Sequence, residues 1–254
     1  MKDFENFKEN MINLGEEALK NVIDTKPRLR ASTLNKNFVV ECARKGENYF
    51  SNNPIRLMVV GRAAGLFGKS EDGKFAKHHL STLKNNNGKW EVDKEQIERC
   101  FKEYYEKDNM DWIHHERDNV KGRRHIDSKH FFRFAKMVYL KLTEQDQDLE
   151  WYKNICNSNI YKIISPVGGN PTWAVIKRQE KTMAKIMKLE FEFFEPTHIL
   201  VMDGENESCC WCNEIKEDLR RYAKNIGAKI CFCNRPEVNK SDELMETVKK
   251  DFNL

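Results

Sequence analysis

An α/β fold built on a parallel sheet is predicted by three observations. Short, β-rich apolar runs alternate with amphipathic helical patterns along the carboxyl-terminal part of the chain. The stretch from Asn159 to Gly204 reads as strand, Gly/Pro loop, long helix, turn and second strand, which is one βαβ crossover. The chain has 254 residues, 39% of them hydrophobic, which is enough for a substantial core. Strands that alternate with helices pair in parallel through right-handed crossovers.

Four runs are expected as strands: Ile55–Val60, Asn159–Ile164, His198–Met202 and Lys229–Cys233. A helix over Trp173–Phe194 follows the cap-like Asn170-Pro171-Thr172 and carries Val175, Met183, Ile186, Met187 and Phe194 on a broad apolar stripe. A second helix, Glu207–Asn225, stops at Asn225-Ile226-Gly227. The first 50 residues look helical throughout, with Met11, Leu14, Ala18 and Val22 at helix spacing. Between Gly65 and Ser158 lies a charged insertion with expected helices at Asp93–Glu106 and Ser128–Leu142, a turn at Asn85–Gly88 and no evident strand. One α/β domain over 1–254 results, with a helical amino-terminal extension over 1–50 and a helical insertion over 66–157. Trp173, Phe191, Phe193 and Phe194 are expected in the core or between packed helices.

Charged residues make up 33% of the chain, and the net charge of +4 permits a nucleic-acid partner without requiring one. No run approaches the roughly 18 apolar residues of a membrane span. The charged start, MKDFENFKEN, is unlike a signal peptide, so a cytoplasmic protein without a membrane partner is expected. Eight cysteines in a reducing compartment are expected as thiols. Cys209, Cys210, Cys212, Cys231 and Cys233 form two close groups, but their spacing is not that of paired C-x-x-C ligands, and no metal is expected.

Polar groups converge on one edge of the expected sheet. Beyond the first strand come Gly61-Arg62-Ala63-Ala64-Gly65, small residues that let backbone N–H groups approach a ligand. The motif lacks the full Gly-x-Gly-x-x-Gly and has no Lys-Ser/Thr, so neither a dinucleotide site nor a P-loop is implied. Asn159 lies at the second strand, Asp203 beyond the third, and Asn234-Arg235-Pro236 beyond the last. Ligands of open α/β sheets bind beyond the carboxyl ends of the strands.

These segments resemble the uracil-DNA glycosylase superfamily. Gly61–Gly65 is similar to its first motif. Ser158-Asn159-Ile160, Gly169-Asn170-Pro171, Glu195-Pro196 and Gly204 look like its middle segment in order, and Arg235-Pro236-Glu237 stands where its last motif has His-Pro-Ser. The resemblance covers Ile55–Gly65 and Asn159–Glu237. It implies a three-layer α/β/α domain with a short, four-stranded parallel sheet, and an enzyme that flips a base out of single- or double-stranded DNA and hydrolyses its N-glycosidic bond. Within it, Asn159 would read the base and Gly61, Arg62 and Ala63 would line its pocket, with Phe131 or Phe132 supplying an aromatic. Arg235 would stabilise the leaving base anion. Ala63 cannot activate water as the Asp or Asn of many members does, so Asp203 becomes the candidate carboxylate, ahead of Glu205. Asn234, Pro236 and the basic Arg123-Arg124 would contact DNA. The iron–sulfur branches carry cysteines near the positions of Ile164 and Gln179, so no cluster or other cofactor is expected. Two further readings stay open: a catalytically silent nucleic-acid or nucleotide-binding module, favoured by Ala63 and Arg235, and a hydrolase of nucleotide-like small molecules.

Overall fold

The computed structural model describes residues 3–23, 38–51, 54–62, 82–87, 89–102, 105, 110, 113, 126–148, 150–164, 171–202, 213–236 and 241–254. They form an α/β protein whose contacts divide into two compact units, each drawn from three stretches of chain. The first comprises Met1–Cys42, Arg62–Lys107 and Asn159–Phe193; the second comprises Ala43–Gly61, Asp108–Ser158 and Phe194–Leu254. Among the described residues no helix is long and apolar enough to cross a membrane.

The second unit holds most of the main sheet. Its parallel centre consists of β3 (Leu57–Gly61), β8 (His198–Met202) and β9 (Lys229–Cys233), with Val60 opposite Val201 and Met202 opposite Cys233. Every residue of β3 and β8 is buried, as strands covered on both faces require, and this is why both read as unbroken apolar runs. On one face Leu57, Val59, Leu200, Met202, Cys231 and Cys233 share a core with α3 (Ile126–Thr143) and α6 (Ser241–Phe252). Helix α3 contributes Phe131, Phe134, Ala135, Val138 and Leu142, a helical stripe whose members each stabilise by about 1.5–3 kcal/mol when large and fully buried.

The sheet has five strands rather than four, in the order β2 (Arg44–Lys45), β6 (Ile155–Asn159), β3, β8, β9, and it is mixed. The added edge strand β2 runs antiparallel to β6. Two charged residues carry no strand periodicity, which is why this edge is invisible in the sequence. The expected strand Asn159–Ile164 is also displaced. It is split into β6 and β7 (Ile163–Ile164), and β7 pairs antiparallel with β1 (Val39–Val40) in the first unit. Polar Asn157 and Ser158 obscure β6; Asn157 is buried because its Nδ2 donates to the Val59 carbonyl at 3.3 Å.

Gly46, just after β2, sits against backbone: a Cβ there would lie 2.3 Å from the carbonyl carbon and oxygen of Lys153. The Gly46 N–H donates to Ile155 at 2.9 Å, so the segment cannot move away without losing that bond. Gly46→Ala is expected to lower stability by about 3 kcal/mol, read as a reduced midpoint in urea denaturation.

His198 begins β8 opposite Lys229, with its ring packed edge-on to Phe252. Burial, then the Lys229 charge, holds its pKa down from 6.5 to about 4. The unfolded chain therefore binds the proton more readily between these values. His198 contributes no pH-dependent loss above about 6.5, and stability falls as pH drops from there toward 4. The acid limb of a Tm-against-pH profile is expected to flatten in His198→Gln.

The carboxyl stop of α5 (Asn213–Asn225) follows the sequence prediction. Gly227 has φ +73°, and the Gly227 and Ala228 N–H groups donate back to Lys224 and Ala223 at 3.1 and 2.9 Å, closing the helix in a Schellman motif. The expected start of that helix, from Glu207, lies outside the described residues.

The first unit packs α1 (Phe4–Ile23), the hairpin β4–β5 (Leu83–Asn86 and Lys89–Val92), α2 (Lys94–Phe101), β1, β7 and most of α4 (Trp173–Phe194). Ile12, Leu19, Val22, Phe38, Val40, Leu83, Ile97, Ile163 and Val175 belong to its hydrophobic core. Phe7 stacks on Phe193 at 3.9 Å within a group that includes Phe4, Phe101 and Tyr105. Gly15 lets α1 approach closely, since a Cβ would meet Val40 at 3.0 Å and Ile97 at 3.2 Å. Asp93 caps α2 by accepting from the Gln96 N–H at 3.3 Å.

Two corrections arise here. The first 50 residues are not helical throughout, because β1 and β2 follow α1. The insertion is not strandless either: β4 and β5 form a hairpin in which Asn86 faces Lys89, with Asn87 at φ +52°. Asn-Gly between two short strands is a strong hairpin signal, but the strand sequences LKNN and KWEV are too polar to alternate visibly.

Candidate functional site

The three parallel strands end at one edge of the sheet, as their register dictates. Gly61 closes β3 and is buried; Met202 and Cys233 close β8 and β9 opposite each other. Beyond Cys233, Asn234 is half-buried, Arg235 is exposed and Pro236 is buried, so the proline anchors a short segment that carries a permanent cation outward. Asp203 follows Met202 directly but lies outside the described residues, as do Ala63, Arg123, Arg124 and Glu205. Cys231 and Cys233 point into the core and are buried free thiols. A hydrogen bond with Cys233, then burial, pushes the Cys231 thiol well up, so it stays protonated at neutral pH.

Phe131 and Phe132, the expected stacking aromatics, are core residues instead. Their rings meet edge-to-face at 5.0 Å inside the cluster beneath the sheet, and they are 9% and 6% exposed. Helical phase explains the placement: Phe131 lies on the inward stripe of α3 and Phe132 beside it. Neither is available to a base there.

Asn159, in the first unit, occupies a buried polar network. Its Nδ2 donates to Glu41 Oε1 at 2.6 Å, and both side chains are buried. A carboxylate accepts only, so this contact sets which way the amide faces. The Glu41 backbone N–H donates to the Lys162 carbonyl at 2.7 Å. Lys162 Nζ in turn donates to both oxygens of Glu190, at 2.8 and 2.9 Å, with both side chains fully buried. Gln179 fastens the same stretch by accepting from the Lys162 and Ile163 N–H groups at 2.9 and 2.8 Å and donating to the Ile163 carbonyl at 3.0 Å. Asn159 is thus held at both ends of a short rigid segment: its amide by Glu41, and the chain beyond it by Gln179 on α4. Cys42 lies in the same surroundings. Burial foremost, then Glu190, pushes its thiol well up, which makes it an inert filler rather than a nucleophile.

The backbone of Arg62 also meets this segment, its carbonyl accepting from the Tyr161 N–H at 3.0 Å. The loop entry after β3 is thereby tied to the stretch that follows Asn159, within the first unit. Glu41, Lys162, Gln179 and Glu190 were not singled out as site residues from sequence. The signal was present: Lys162 interrupts the apolar run Tyr161–Ile164, and Glu190 falls in phase with Met183, Ile186, Met187 and Phe194 on the inward stripe of α4. A charged residue at a core position implies a buried partner.

Chemically, the network presents a fixed amide beside a carboxylate, and the sheet edge presents an exposed guanidinium. No protein-family model matches this chain, and no curated protein matches it.

Proposed function

We propose that this protein is a DNA glycosylase-like base reader in a cytosolic setting, which takes an extruded base against Asn159 and hydrolyses its N-glycosidic bond. The observation that carries the reading is the Glu41–Asn159 contact. A primary amide has two N–H donors and one carbonyl acceptor; one N–H is given to Glu41. The donor and acceptor that remain match the carbonyl and N–H on the edge of uracil or thymine. Fixing the amide in advance also removes its ordering cost on binding. The ordered likeness of the segments around Asn159 to the glycosylase superfamily supports the same assignment.

In this reading Gly61, Arg62 and Ala63 form the pocket wall, and Arg235 stabilises negative charge on the departing base. Asp203 stabilises positive character on the sugar and orients water. Arg123, Arg124, Asn234 and Pro236 contact DNA. The second reading, a silent nucleic-acid-binding module, is favoured by Ala63 in the place of a water-activating residue.

A panel of single- and double-stranded oligonucleotides bearing uracil, other deaminated bases or normal bases separates the two. With excess protein, base release is expected from at least one deaminated substrate, and Arg235→Ala is expected to slow it by about 10²-fold. Tight binding without release from any member would establish the silent module instead.

A further inference from the structure

One face of α4 is not used by the reading above. Trp173, expected in the core, is 52% exposed at the amino-terminal end of this helix. The Lys177 ammonium lies over its ring, 4.8 Å from the centroid. Lys181, Lys185 and Lys188 follow, all exposed. At 3.6 residues per turn, positions 173, 177, 181, 185 and 188 fall within an arc of about 120°, and each step of four residues advances about 6 Å. That step is comparable with the separation of successive phosphates along a nucleic-acid strand.

Carboxylates stand beside this row: Glu180 by Lys177 at 3.2 Å, Glu17 by Lys185 at 2.8 Å and Glu192 by Lys188 at 3.5 Å. These surface pairs, in which Glu180 is half-buried, are weak and readily exchanged for phosphate. Lysine rows are commonly no more than solvated helix faces. What distinguishes this one is its head, a large aromatic left exposed where the inward stripe of the same helix buries Val175, Ile176 and Met183. An aromatic beside a row of cations is the pairing that single strands require, a stacking surface for a base and charges for the backbone.

We propose that this face of α4 is a track for single-stranded nucleic acid, with Trp173 stacking on a base and Lys177, Lys181, Lys185 and Lys188 facing successive phosphates. The inference rests on the proposed function only in taking the polymer to be DNA. Trp173 and the lysines are exposed, so replacing them leaves the core intact.

The test is fluorescence anisotropy of a labelled oligothymidylate with the full chain, at several salt concentrations. Trp173→Ala is expected to weaken binding on the order of tenfold. Lys181→Gln with Lys185→Gln is expected to make the slope of log affinity against log salt shallower by about 1.4, at roughly 0.7 per phosphate contact. Lys250→Gln, on the exposed side of α6, run alongside, is expected to bind like the unaltered chain. Wild-type affinity and salt slope in both α4 variants would overturn the proposal, as would α4-dependent binding to anionic vesicles with none to the oligonucleotide. Failure of base release in every substrate would remove the glycosylase reading and leave this result standing on its own.

Discussion

Replacing Lys162 with Met is expected to destabilise the protein by about 3–5 kcal/mol, because it leaves the Glu190 carboxylate buried with its charge uncompensated. In the intact protein the pair is fully enclosed, with Nζ donating to both carboxylate oxygens. The double change Lys162→Met with Glu190→Leu removes both charges and is expected to recover most of the loss. Urea denaturation of the three proteins measures both terms. Equal loss in the single and double variants would mean that packing volume, not charge pairing, sets the cost.

The second large effect concerns chemistry. Asn159→Ala is expected to slow base release by about 10²–10³-fold, the scale of removing one preorganised donor from a developing anion. Glu41→Gln is expected to be milder, about tenfold, because the base-reading amide remains but the acceptor-only partner that orients it is gone. A Gln at position 41 offers either an oxygen or a nitrogen to Asn159, so its amide populates both orientations. A drop in kcat with little change in oligonucleotide affinity is expected for Glu41→Gln. A fall in affinity alone would make Glu41 a support for binding rather than for the reacting geometry.

The elements that were legible in sequence are those in which one period dominates. Strands β8 and β9 begin and end where their apolar runs do, and helix α4 spans the residues its stripe marks. The elements that were missed are short or polar. Two-residue strands such as β1 and β2 have no period to detect, and the hairpin strands carry Lys and Asn where alternation would need apolar side chains. Strand β6 is hidden for another reason: its polar residues are buried and satisfied by tertiary partners, as Asn157 is by Val59.

The candidate site divides in the same way. Asn159 was legible from its neighbours in sequence, but Glu41, which faces its amide, lies 118 positions away. No local pattern links them. Phe131 and Phe132 show the opposite failure, since aromatic residues near a basic segment suggest stacking until helical phase turns them inward. Trp173 reverses it again: it was expected to pack, yet it stands exposed in a first turn whose Val175 and Ile176 face inward.

Single-turnover base release from a uracil-containing single strand, compared between the unaltered protein and Asn159→Ala at matched stability, tests the central claim most directly. The account predicts release by the former, slowed at least about 10²-fold in the latter, with binding of the same oligonucleotide retained in both. Release at equal rates would contradict it, since the amide held by Glu41 would then have no part in reading the base.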